Sequence, residues 1–312
     1  MHGTMQVEPL LVKASQPLAA KPSMSIRIIA ILLVLPCVYF AWQAYHWGVA
    51  DRYSYEARQI EKLWKEERVT RNSLAAAITE AKNAVEWAPD NPSYRDQLAH
   101  FLTMQYLMDR QADTAEQAKK HLLHSRSIRP KSPDNWASYI ELKHYLGEAD
   151  QALSEAITNA VAAGPWEPSV LQAVTTAGVT HFEALTSPAQ SATIENIQRG
   201  LTSNIPRMPT KIVDVIEGAA AEWTVPFTEQ LIDLLVNEPW QFRSEPAKTK
   251  LSLLFWPLLG ERQRGILMAK IAGALESQRG NALIREVGAS GQLPLICLYL
   301  PRIPKFARPC AR

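Results

Sequence analysis

Ala84-Val85-Glu86-Trp87-Ala88-Pro89-Asp90-Asn91-Pro92, Ser125-Arg126-Ser127-Ile128-Arg129-Pro130-Lys131-Ser132-Pro133 and Ala160-Val161-Ala162-Ala163-Gly164-Pro165-Trp166-Glu167-Pro168 are three versions of one text. In each, a small residue stands five positions before a proline, and a second proline opens the next amphipathic run. The pattern reads as the close of one helix, a corner, and the start of another. Asp90-Asn91-Pro92-Ser93-Tyr94 is echoed by Asp134-Asn135-Trp136-Ala137-Ser138-Tyr139, one residue longer. Helix pairs recurring at roughly 35–40 residues define an α-solenoid of tetratricopeptide type.

The residues around the corners suit close helix packing. Ala77, Ala81 and Ala84 share one helical face, Ala118, Leu122 and Ser125 repeat the spacing, and Ala149, Ala152, Ala156 and Ala160 run along the return helix after Gly147. Small side chains let a neighbouring helix approach. Trp136, Tyr139 and Leu142 supply larger knobs, and Gly147 falls where that helix turns into the next. The spacing from Pro89 to Pro130 is longer than a regular repeat, and Ile140 stands where a small residue is expected.

Outward from the repeats, the expected architecture is all-α. Residues 1–25 form a flexible cytoplasmic tail, 26–47 a single transmembrane helix, 48–70 a linking helix, 71–205 the tetratricopeptide-like repeats, and 206–312 a further helical region with a Pro-rich tail. The span rests on Ile28-Ile29-Ala30-Ile31-Leu32-Leu33-Val34-Leu35-Pro36-Cys37-Val38-Tyr39-Phe40-Ala41-Trp42. About twenty apolar residues cross the hydrocarbon, and Tyr39, Phe40, Trp42, Tyr45 and Trp47 suit an interfacial belt. A cleaved signal peptide fits less well, because Ala41-Trp42-Gln43-Ala44 is bulky at the exit. A core helix this apolar on every face would need a larger protein around it. We place the short N-terminus inside and the bulk of the chain outside the cytoplasm. Past the span, Ala57, Ile60, Leu63 and Trp64 line one face of the linking helix, for which the other reading is an extension of the membrane helix with a polar cuff.

After Ile205-Pro206 the repeat text is lost, but helical patterns continue through Ile212–Ile216, Phe227–Val236, Lys248–Leu259 and Arg262–Leu275. Trp223, Trp240 and Trp256 read as core aromatics. The formal charge of +2 comes from interleaved bases and acids, which argues against nucleic acid as a partner.

No P-loop, dinucleotide fingerprint, nucleophile elbow or His-Glu-x-x-His occurs in the sequence. His121 and His124 neighbour each other on a helix without an acid or cysteine at ligand spacing, so no metal is expected. Acids such as Glu141, Glu148 and Asp150 show no spacing that selects a catalytic pair. No enzyme activity and no cofactor are expected. Instead, the first helices of two repeats turn a groove toward other proteins: Ser93, Asp96, His100, Thr103 and Met104 from one, and Asp134, Ala137, Glu141, His144 and Tyr145 from the next. Cys297 and Cys310 flank a Pro-containing loop in the tail, and they read equally well as a disulfide or as two unrelated thiols.

Taken with the anchor and the aromatic exit, Arg129-Pro130 followed by Trp136-Ala137 and the Gly164-Pro165-Trp166-Glu167-Pro168 corner resemble the VpsP-type membrane proteins of bacterial exopolysaccharide gene clusters. The resemblance covers about residues 28–180. It implies a bacterial inner-membrane protein with its bulk in the periplasm. Its role would be that of a scaffold among the proteins of an envelope polysaccharide assembly complex. The rival readings are an envelope assembly factor of pilus or cytochrome-maturation type, and a polymer enzyme with its site in 206–312.

Overall fold

The computed structural model describes residues 24–219 and 225–237, and among these every regular element is a helix. The side chains of residues 25–31 are outside the description. So are the expected tail up to residue 23, Trp223, Trp240, Trp256, the helical patterns from Lys248 onward, Cys297 and Cys310. The chain divides into two units, Met1–Val49 and Ala50–Arg312.

Helix α1 runs without interruption over Met24–Leu63, with Pro36 inside it. The linking helix expected at 48–70 is therefore the C-terminal part of α1 up to Leu63, followed by a turn. Nothing between Trp47 and Ala50 stops a helix: Gly48 alone weakens it, and no proline or capping residue follows. In the first unit, Leu32, Leu33, Val34, Leu35, Val38, Phe40 and Trp42 are all exposed. Among the described residues no helix is long and apolar enough to cross a membrane. The apolar start of the sequence's candidate span, Ile28–Ile31, contributes no described side chain.

In the second unit the chain folds as consecutive helices: α2 (Arg71–Trp87), α3 (Pro92–Asp109), α4 (Ala112–Ile128), α5 (Pro133–Leu146), α6 (Gln151–Ala163), α7 (Pro168–Thr180), α8 (Ser187–Thr202), α9 (Met208–Gly218) and α10 (Val225–Asn237). A short 3₁₀ turn, Phe182–Ala184, precedes α8. Sequence neighbours pack together, α3 on α4, α5 on α6 and α7 on α8, while α5 also packs on α7, α6 on α8 and α7 on α9.

The quoted text builds one corner three times. A residue before proline is pushed out of the α region by the proline ring. Ala88, Arg129 and Gly164 sit accordingly at φ −138°, −126° and −150° with ψ 73°, 73° and 70°. Each N–H still donates to the small residue four back, Ala84, Ser125 or Ala160, at 3.1, 2.9 and 2.9 Å. Each carbonyl then accepts the N–H of Asn91, Ser132 or Glu167, at 3.1, 3.2 and 3.2 Å. Pro92, Pro133 and Pro168 occupy the first turns of α3, α5 and α7, where a missing N–H costs nothing.

Ala84, Ser125 and Ala160 are fully buried, and so are Ala77, Ala81, Ala118 and Ala156. Ile140 is buried as well, filling a place where the repeat pattern wanted a small residue. Elsewhere, helix ends are set locally. Thr70 and Ser73 form a capping box on α2, and Asp150 caps α6 through the N–H of Leu153. Gly147, at φ 70°, closes α5 in the left-handed conformation that glycine adopts without a Cβ penalty.

Gly164 has a different reason to be glycine. Its backbone conformation matches that of Ala88 and Arg129, but a Cβ there would lie 2.5 Å from Cβ of Pro133. We expect Gly164→Ala to destabilise the fold by about 1–3 kcal/mol through overpacking. Ala88→Gly, at the same backbone angles without that contact, should cost under about 1 kcal/mol. Urea unfolding followed by circular dichroism separates the two; equal effects would mean that the approach of Pro133 does not constrain the corner.

Candidate functional site

Ionisable residues stand along the helices that follow the corners, from the end of α1 to the end of α7. At the α1 end, His100 Nε2 lies 3.6 Å from Glu61 Oε1, and this imidazole holds Glu61 below the usual carboxylate range. On α5, Glu141 is close enough to His100 to feel its charge, but burial outweighs that and raises its carboxyl. One turn further along α5, burial raises the Tyr145 phenol, with the Glu141 charge adding to it. His144 Nδ1 then meets His181 Nε2 at 3.3 Å, where α7 ends.

Beside the α1 end of this row lies a hollow of about 470 Å³. Trp64, Val69 and Met104 supply its apolar lining, and Arg58, Lys62 and Lys65 its cations. Trp64 is fixed in place, since its Nε1 donates to Ser73 Oγ at 3.1 Å and its ring packs edge-on against Phe101. The end of α1 is itself held to α3 through Ser54 Oγ, which donates to Gln97 Oε1 at 2.7 Å.

The residues expected in the groove divide into two sets. His100, Met104, Glu141, His144 and Tyr145 belong to the row or its hollow. Asp96 and Asp134 sit nearer the corners, in contacts between helices. Asp96 accepts from Arg129 Nη2 at 2.9 Å and from Asn135 Nδ2 at 2.7 Å, tying α3 to the α4–α5 corner. Asp134 accepts from Ser169 Oγ at 2.6 Å, linking the first turns of α5 and α7. Thr103 and Ala137, expected beside them, are buried, and Thr103 donates to Ala99 O within its own helix.

His121 is a structural acceptor. Burial, with Arg95 adding, pushes it down to about 4, so at neutral pH its uncharged ring can take the hydrogen bond of Arg95 Nη1 at 3.3 Å. His124 approaches Asp90 at 3.9 Å. Among the described residues no group of three or more histidine, cysteine, aspartate or glutamate side chains could hold a metal ion.

The sequence reading passed over two features. Glu61 and the cations of α1 were assigned to a linking helix, although the steps of three and four among Arg58, Glu61, Lys62 and Lys65 mark one helical face. Lys143 carried no signal on its own, yet it is the most buried charge described. At 1% exposure, its Nζ reaches Glu148 Oε2 at 2.5 Å and Asp150 Oδ2 at 2.9 Å, and Lys119 joins Glu148 at 3.3 Å. Gly147 followed by two acids was the available clue. Compared with known proteins, the chain matches no family model and no curated protein.

Lys143→Met should cost roughly 1–3 kcal/mol, less than breaking a dry ion pair because Glu148 and Asp150 reach solvent. Burial opposes charge at all three groups, but the pairing prevails: Glu148 and Asp150 are lowered and Lys143 is raised. The carboxylates' contribution is present above about pH 4 and fades as pH falls through their lowered values. The lysine's contribution is present below about pH 10 and fades as pH rises through its raised value. Urea midpoints of wild type and variant should thus differ most between these limits.

Glu141→Gln tests the opposite sign. A raised carboxyl destabilises the fold wherever it is ionised, so the variant should unfold later than wild type at pH 7 and equally with it below about pH 4. An earlier unfolding at pH 7 would mean that the Glu141 charge is compensated.

Proposed function

We propose that the protein is a membrane-anchored helical-repeat scaffold, a tetratricopeptide-like α-solenoid that acts through protein contacts in bacterial exopolysaccharide biosynthesis or export. The observation that carries the repeat reading is the shared backbone geometry of the corners at Ala88, Arg129 and Gly164, each followed by proline-started helices that pack on one another. A stack of such units presents a long surface made from its first helices, which suits an extended partner. The row from Glu61 to His181 occupies that surface.

Support for the anchor comes from the exposed run between Leu32 and Trp47, an apolar surface that water disfavours and hydrocarbon or a partner would cover. Its aromatic end, Tyr39 to Trp47, is the composition that membrane interfaces favour. The assignment to exopolysaccharide assembly, with the bulk of the chain in the periplasm, rests on the resemblance of residues 28–180 to VpsP-type proteins.

Expressed in a Gram-negative host, the full chain should sediment with inner membranes and resist extraction at alkaline pH. Removal of residues 26–47 should release it. A reporter active only outside the cytoplasm, fused after Arg312, should be active. In-cell crosslinking should recover polysaccharide-assembly proteins of the inner membrane. A silent reporter would reverse the topology, and recovery of pilus or cytochrome-maturation proteins in their place would move the scaffold to that other process.

A further inference from the structure

The hollow between the end of α1 and α3 carries more chemistry than a general contact surface. Its lining has three permanent cations and one carboxylate. Glu61 is already engaged by His100, and Arg58 is partly engaged by Ser54 Oγ at 2.8 Å and Asp51 Oδ1 at 3.4 Å. Lys62 and Lys65 are exposed and form no ion pair within 4 Å among the described residues, although Lys65 is near enough to Glu61 to help lower its carboxyl. The rim of the hollow therefore carries more positive than negative charge.

The lining between the cations is apolar and firm. Met104 and Val69 are half-buried, and Trp64 is immobilised by Ser73 and Phe101. A volume of about 470 Å³ falls within the range of sites that bury a substantial ligand group. No serine, threonine, asparagine or glutamine lines it, so a sugar entering would leave hydroxyls without neutral partners. The Trp64 N–H is also committed to Ser73, and one ring contact is taken by Phe101.

We propose that this hollow is a docking site for an acidic peptide segment that inserts one large apolar side chain against Trp64, Val69 and Met104 while its flanking carboxylates meet Lys62 and Lys65. The proposal rests on the scaffold reading above and names the partner chemistry for one part of that surface. Buried apolar anchoring supplies affinity, and charges at the rim supply selection and rate of encounter.

The test uses the full chain in lipid nanodiscs and fluorescence anisotropy. The probe is a labelled ten-residue peptide of aspartate and glutamate around a single phenylalanine. Replacing its acids by asparagine and glutamine should weaken binding at least about tenfold, as should replacing its phenylalanine by alanine. The double variant Lys62→Glu, Lys65→Glu should lose at least about tenfold in affinity while its circular dichroism spectrum stays that of the folded chain, since both lysines are exposed. Raised salt should weaken the acidic peptide and not the amidated one.

Equal binding of the amidated peptide, or indifference to the double variant, overturns the proposal. An anionic hexagalacturonate that displaces the probe at lower concentration than unlabelled peptide does so too, and assigns the hollow to a glycan. If no peptide binds while the in-cell crosslinks to envelope proteins persist, this site is wrong and the scaffold reading stands.

Discussion

The helical stack depends on what a proline ring forbids to the residue before it. With the α region closed at Ala88, Arg129 and Gly164, each helix must stop there, and the extended step that follows throws the chain into a new helix. What remains variable is how each corner is tied down. Ser125 donates its hydroxyl to Pro92 O at 3.2 Å, a bond that Ala84 and Ala160 cannot make. Three residues past the opening proline, Arg95 Nε donates to Pro89 O and Trp136 Nε1 donates to Pro130 O, at 2.5 and 2.9 Å. The third corner has Leu171 at that place and no such donor. There, Gly164 and Pro133 approach closely enough that only glycine fits. One backbone constraint thus has three side-chain solutions.

Burial near the corners draws polar groups into structural roles. Asn135 is almost wholly buried, and it gives hydrogen bonds to Asp96 Oδ1 and Leu122 O while accepting one from Arg126 Nε. A buried amide left unpaired would cost more than these bonds gain, so the network holds α3, α4 and α5 in register. Arg126 completes it by lying over the rings of Trp136 and Tyr139, at 3.7 and 4.1 Å. Asp96 is drawn into this network, whereas His100, one turn further along the same helix, is not. The corner end of α3 is thereby structural, while His100 stays exposed beside Glu61.

Local rules were legible in the sequence because they act through nearest neighbours. Proline spacing located the ends of α2, α4 and α6, small residues located the buried ridge, and Gly147 located a left-handed cap. Faces were less legible. His100 and Met104 line a hollow, but the same register of the first helices put Thr103 and Ala137 outside, where packing buries them. Asp134 and Asp96 looked like surface acids because the residues that engage them, Ser169, Arg129 and Asn135, lie 33 to 39 positions away. The continuity of α1 was only the second of two readings for a simpler reason: a change from apolar to amphipathic composition at Gly48 resembles a boundary, yet a helix backbone does not respond to composition unless something caps or breaks it.

Two ionisable residues on α5, two positions apart, show how the face acquires its polarity. Residues two apart on a helix point in different directions, so Glu141 and Lys143 meet different surroundings. Lys143 turns into the protein and gathers Glu148 and Asp150, which neutralises the acids of the α5–α6 turn within that turn. Glu141 turns toward the row, where burial resists its ionisation and only His100 favours it. Glu61 keeps its charge beside His100, but Arg58, Lys62 and Lys65 outnumber it at the α1 end. That end of the row is thus the more positive one, because Lys143 holds Glu148 and Asp150 at the turn while the lysines of α1 remain exposed.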